Sequence, residues 1–219
     1  MSHNGRRGIL GRGAGSGSNP TLSYNGWTNA TPATASYTFS GVPFGTAASG
    51  RVVVIAINYA LVGAPTISSV TIGGVTATLA VKVVATSQPR MSYIYYAVVP
   101  SGTSGNVEIV TSAAIGQLTN VISYSLYGLS SSAPTTTGVA NNDTLSVSPS
   151  QSITLTPSSG GLLVAVFNCA GADAGAAATW TNATENLDAL QTGTNFVSAA
   201  SATNLSGSSL TVSVTNADT

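Results

Sequence analysis

Around Gly73-Gly74 the chain alternates its side chains on every second position, as Val70-Thr-Ile72 before the pair and Val75-Thr-Ala77-Thr-Leu79-Ala-Val81-Lys-Val83 after it. A period of two puts one set of side chains on one face of an extended strand, whereas a helix needs apolar residues three and four apart. A Gly-Gly pair supplies the positive φ angles of a two-residue hairpin turn. The segment therefore predicts a β-hairpin. The same alternation governs the chain from Tyr24 onward, and helical periodicity is not found.

Further strands are predicted over residues 37–42, 51–59, 91–99, 106–111 and 121–129, each bounded by clusters of Gly, Pro, Ser or Asn. Val52-Val-Val-Ile-Ala-Ile57 is apolar at every position. Such a run suits a central strand covered on both faces.

The second half of the chain resembles the first. Gly45-Thr-Ala-Ala-Ser-Gly-Arg-Val-Val-Val-Ile-Ala-Ile-Asn58 has a counterpart in Thr156-Pro-Ser-Ser-Gly-Gly-Leu-Leu-Val-Ala-Val-Phe-Asn168, a small-residue turn feeding a central strand that ends in Asn. Residues 101–111 correspond in the same way to 205–214, so the order of elements is kept. Two such units facing each other give an all-β antiparallel sandwich, either a single jelly-roll-like body built from two pseudo-repeated halves, which is the expectation, or two joined sandwiches. Residues 1–20 form an N-terminal arm, 21–133 the first half and 134–219 the second. A strand equivalent to residues 121–127 is wanting in the second half, so either the chain is cut short or a neighbouring subunit completes the sheet.

Composition narrows the function. Of 219 residues 43% are hydrophobic and only 5% charged, with a formal net charge of zero. A disordered chain would be poor in apolar residues and rich in charge, so this one packs a core and covers it with Ser, Thr, Asn and Gly. A neutral surface gives little repulsion between copies, which suits a protein held in an assembly. No helical apolar run reaches the roughly 20 residues of a membrane span, and no apolar secretory core opens the chain. Synthesis in the cytoplasm is expected, and the four Asn-X-Ser/Thr triplets are then chance matches. Cys169 is the only cysteine, so a buried thiol is expected.

The carboxylates are Glu108, Asp143, Asp173, Glu185, Asp188 and Asp218, and the one histidine is His3 in the arm. A nucleophile–base pair would have to borrow His3, and a strand spacing puts Glu185 and Asp188 on opposite faces. Asn141, Asn142 and Asp143 offer oxygen atoms without the converging carboxylates of a calcium loop, and no Cys/His cluster exists for zinc. No enzyme, cofactor or metal site is expected.

The arm carries Arg6, Arg7 and Arg12 around Ile9-Leu10, followed by the Gly/Ser-rich linker Gly11–Gly17. Charge flanking a small apolar anchor suits docking onto another protein. Beyond it only Arg51, Lys82 and Arg90 are basic, which argues against nucleic acid as the partner. Tyr93 and Tyr95 share a face and are either core residues, subunit-interface residues or exposed platforms for a glycan.

The segments Gly45–Ile57, Thr66–Ala77 and Ala97–Gly105 resemble a group of β-sandwich virion accessory proteins encoded in phages and prophages of alphaproteobacteria and related bacteria. The resemblance spans about residues 35–215 and leaves out the arm. It implies a virion surface protein. Taken with the neutral composition and the separate arm, the expected role is a capsid decoration or head-fibre component made in the host cytoplasm, a homo-oligomer such as a trimer, docked by its arm on the major capsid protein or another virion protein. The alternative is a tail, collar or tail-fibre component with receptor or glycan binding.

Overall fold

The computed structural model describes residues 19–31, 34–60, 65–84, 90–115, 119–140, 150–170, 177–190 and 195–217. Among them are fifteen strands and no helix, and every strand pair is antiparallel.

The strands form four sheets. Sheet I runs β2 (Ser36–Pro43), β8 (Ser104–Thr111), β4 (Ile67–Ile72), β5 (Val75–Thr76). Sheet II runs β1 (Thr21–Ala30), β9 (Thr119–Tyr127), β3 (Val52–Ala60), β7 (Arg90–Val98), β6 (Thr78–Val84). Sheet III runs β11 (Ser159–Ala170), β14 (Asn195–Ser206), β13 (Thr184–Leu190), and sheet IV runs β10 (Ser150–Leu155), β15 (Leu210–Ala217), β12 (Ala177–Thr181).

Alternation along the strands stacks these sheets in the order I, II, III, IV. One face of sheet II sends Val53, Ile55, Ile57 and Tyr93 against Phe39, Val70, Ile72 and Ile109 of sheet I. Its other face sends Val52, Val54, Ala56 and Ile122 against Leu187, Val197 and Ala199 of sheet III. Phe167 and Phe196 then leave the far face of sheet III to meet Ala178 and Val214 of sheet IV. Three apolar layers result, and β3 is buried on both faces as its unbroken apolar run requires.

The all-β, sandwich-like fold is therefore present, with a different division of labour from the one expected. The two halves do not supply one sheet each to a single jelly-roll-like sandwich. Residues 21–127 close sheets I and II on themselves, and residues 150–217 close sheets III and IV. Strand pairing runs in the same order in both: β10-β15-β12 matches β2-β8-β4, and β11-β14-β13 matches β3-β7-β6. In sheet II, β9 and β1 are added beyond β3; nothing pairs with the corresponding side of β11 among the described residues. The stretch 156–168 thus ends in an edge strand, not the central strand its resemblance to 45–58 predicts.

The hairpin is also shorter than its alternation predicts. Gly73 and Gly74 do take positive φ, 59° and 80°, but only Thr71↔Thr76 and Ile72↔Val75 pair across the turn. At Ala77, whose N–H donates to Val70 O at 2.9 Å, the chain leaves sheet I and enters sheet II as β6. A bulge between Leu79 and Val81 then resets which side chains face inward.

Candidate functional site

The arm residues Arg6, Arg7, Ile9, Leu10 and Arg12 lie outside the described residues, as do Asn142 and Asp143. Tyr93 and Tyr95 are placed firmly: they are 2% and 6% exposed in the layer between sheets I and II. Tyr93 stacks on Tyr59 at 5.9 Å and on Tyr95 at 6.2 Å between ring centroids. A sugar needs an accessible ring face, so the glycan and interface roles are corrected to a core role. Alternation put both rings on one face, and sheet I covers that face.

Glu185 and Asp188 are corrected too. Between Glu185 and Leu187 the strand β13 carries a bulge, with Glu185 opposite Ala200 and Leu187 opposite Ala199. The extra residue, Asn186, accepts the Tyr124 hydroxyl of sheet II at 3.2 Å. As a result Glu185 and Asp188, opposite Ala200 and Ser198, share the face toward sheet IV. Burial and the charge of Asp188 raise the Glu185 pKa. Asp188 Oδ2 accepts the Ala178 amide of β12 at 2.8 Å, so this carboxylate ties sheets III and IV together.

Arg51 is fully buried, yet its guanidinium is satisfied by carbonyls alone: Val99 O at 2.8 Å, Gly45 O at 3.0 Å, Ser101 O at 2.8 Å and Gly102 O at 2.9 Å. It staples the loop before β3 to the turn after β7. Cys169 is buried, and Asn216 Nδ2 donates to its Sγ at 3.6 Å.

A groove of about 430 Å³ runs beside β11. Every residue of that strand from Ser159 to Cys169 lines it, although alternate side chains point to opposite faces. Only a space running along the strand's open edge meets both sets. Ile94 and Tyr96 of β7 and Val81 and Val83 of β6 form one wall; Ile153 and Val212 of sheet IV form the other, and residues 129–140 make the rim. The walls are apolar because sheet III has three strands and sheet II five, so the inner face of β6 has no strand beneath it.

Polar groups gather at one end of this groove. On the inner face of sheet II, Ser92 Oγ donates to Asn58 Oδ1 at 2.6 Å and Asn58 Nδ2 to Asn120 Oδ1 at 3.0 Å, a row across β7, β3 and β9. Next to that row Arg90 and Asn168 line the groove, and Arg90 Nε and Asn168 Oδ1 are buried without a hydrogen-bond partner. Burial lowers the Arg90 pKa, and a smaller electrostatic coupling to Cys169 opposes it. Among the described residues the groove is lined by Lys82 and Arg90 and by no carboxylate. Neither Arg90 nor Asn168 stood out in the sequence. The available signal was a cation ahead of an alternating strand in a chain with so few charges.

Among the described residues no group of His, Cys, Asp and Glu is placed to hold a metal ion, and no helix is long and apolar enough to cross a membrane. No protein-family model, curated protein or solved structure matches this chain.

Proposed function

We propose that this chain is a structural component of a bacteriophage particle: a capsid decoration or head-fibre protein whose residues 1–20 dock on the shell and whose β-body stands outward. The observation that carries this reading is the chemistry of the two outer faces of the stack. Sheet I presents Ser36, Thr38, Ser69 and Thr71 around Glu108 and Val110, with the Thr71 hydroxyl 3.0 Å from Glu108 Oε2. Sheet IV presents Ser150, Ser152 and Thr154 paired with Thr215, Ser213 and Thr211.

Ladders of hydroxyl groups with a single carboxylate generate almost no field to steer an ionic substrate or nucleic acid. They give a free monomer little colloidal repulsion, a lack that matters less for a body fixed on a particle. The groups that looked chemical in the sequence also have structural work: the tyrosines fill a core and Asp188 joins two sheets. The resemblance of residues 35–215 to virion accessory proteins supports the same reading. The matching strand orders of the two sandwiches are read as two copies of one β-unit, and assembly as a homo-oligomer, such as a trimer at a threefold position of the shell, follows from the same picture.

Incorporation into particles tests this directly. Full-length protein is expected to co-purify with particles through a density gradient, and a variant lacking residues 2–18 to fold with the same β-type circular dichroism yet stay unbound. Retained incorporation of the shortened chain would remove the arm from docking. Failure of the full-length chain to join any particle would remove the structural role.

A further inference from the structure

We infer that the open edge of β11 is a docking site for an extended β-strand of another protein, one that begins with an acidic residue and continues with apolar side chains. The inference stands apart from the virion reading and does not need it.

Topology comes first. In the first sandwich the strand at this position, β3, is paired on both sides, by β7 and by β9. In the second, among the described residues, β11 pairs with β14 alone. An edge whose outward N–H and C=O groups from Leu162 to Asn168 face no described strand is a template for strand addition unless charge, proline or a bulge blunts it. From Leu162 to Cys169 β11 has neither charge nor proline, and its pairing is irregular only near Gly161.

The groove then sets what can enter. A strand added beside β11 lies beneath β6, the part of sheet II with no described strand under it, and fills both apolar layers that the groove opens. Its side chains would face Val81, Val83 and Ile94 on one side and Ile153 and Val212 on the other. Apolar residues are therefore wanted on both faces of the incomer.

Charge sets its leading end. Arg90 Nε lacks an acceptor and Asn168 Oδ1 lacks a donor. An acidic residue offers both, a carboxylate for the guanidinium and a backbone N–H for the amide oxygen. An antiparallel incomer, the orientation of every pair in this protein, has its N-terminal end at the Asn168 end of β11. The arm of this chain is a poor occupant, since Met1–Ser18 holds three arginines and no acid. The acidic residues on described strands, Glu108, Glu185 and Asp188, sit in β8 and β13, which are already built into sheets I and III.

The test uses the full chain and a fluorescein-labelled peptide, acetyl-Asp-Val-Thr-Val-Ile-Val-Thr-amide, with a second peptide carrying Lys in place of Asp. Saturable binding of the first is expected, with slowed hydrogen exchange of the β11 amides from Leu162 to Asn168. The Lys peptide, and Arg90→Gln with the Asp peptide, are expected to bind about tenfold or more weakly. Equal binding of both peptides, protection of a different edge such as β6, or no binding would overturn the proposal. So would β11 protection that appears without peptide as protein concentration rises, since the occupant would then be a second copy.

Discussion

At the scale of single residues, Arg51 and the core tyrosines are structural fasteners, unlike the unpartnered Arg90 Nε and Asn168 Oδ1 of the groove. Arg51 is a cation without a carboxylate, held by four carbonyl oxygens. Arg51→Met removes those donors while keeping most of the volume, and is expected to cost about 3 kcal/mol or more in chemical denaturation. The buried tyrosines make stability sensitive to alkali. Burial pushes the Tyr37 pKa up to about 12, and burial also raises Tyr59, Tyr95 and Tyr124. Unfolded tyrosines ionise near pH ~10, so the folded state binds these protons more tightly. That contribution is intact below about pH 10 and is lost as pH rises toward 12 and beyond. Thermal melts from pH 8 to pH 12 should show a flat region and then a steep fall, with tyrosinate absorbance rising together with unfolding. Tyrosinate absorbance that rises fully while the fold persists would place these rings in contact with water. Shared faces, such as that of Tyr93 and Tyr95, were legible from spacing alone. Which face is covered was not, because that depends on a sheet formed by residues far away in the chain.

At the scale of elements, the sequence was read well where alternation is unbroken and poorly where a bulge or sheet switch interrupts it. The strands predicted over 37–42, 51–59, 91–99 and 106–111 lie within or nearly coincide with β2, β3, β7 and β8. The hairpin arm past Gly74 looked continuous, yet the chain changes sheets at Ala77. β1 went unread because a bulge between Tyr24 and Gly26 breaks its alternation; it pairs with β9 along its length, packs Leu22, Tyr24 and Trp27 against the core toward sheet III, and Asn25 Nδ2 donates to Ser125 Oγ at 2.8 Å. The bulge at Asn186 is the instructive failure: one inserted residue brings Glu185 and Asp188 to one side and gives Tyr124 an acceptor. Tyr124→Phe leaves Asn186 Oδ1 without that donor and is expected to cost about 1–2 kcal/mol in a denaturant titration. A loss within error would mean the bulge is held by the β13 backbone alone.

At the scale of the whole molecule, sheet II is the hinge of the account, because each of its faces supports a different core. Were the two sandwiches independent, Val52, Val54, Ala56, Ile122 and Tyr124 would face water, a contiguous apolar patch that soluble monomers avoid. A chain cut after residue 133 is therefore expected to bind a hydrophobic dye strongly and to aggregate, whereas the full chain should melt in one cooperative transition. Two separate transitions would contradict the shared core. The sequence spoke of two similar halves and left open one shared body or two joined sandwiches; the single body is the expectation and the joined pair is found, a choice alternation cannot make because both arrangements ask for the same pattern.

The central claim is that this four-layered body is built into a phage particle. Cryo-electron microscopy of intact particles, with head and tail averaged separately, tests it most directly. The account expects density for four stacked sheets on the capsid lattice, with the β1 end turned toward the shell where the arm docks. Particles on which no such density is found, at either head or tail, would contradict it.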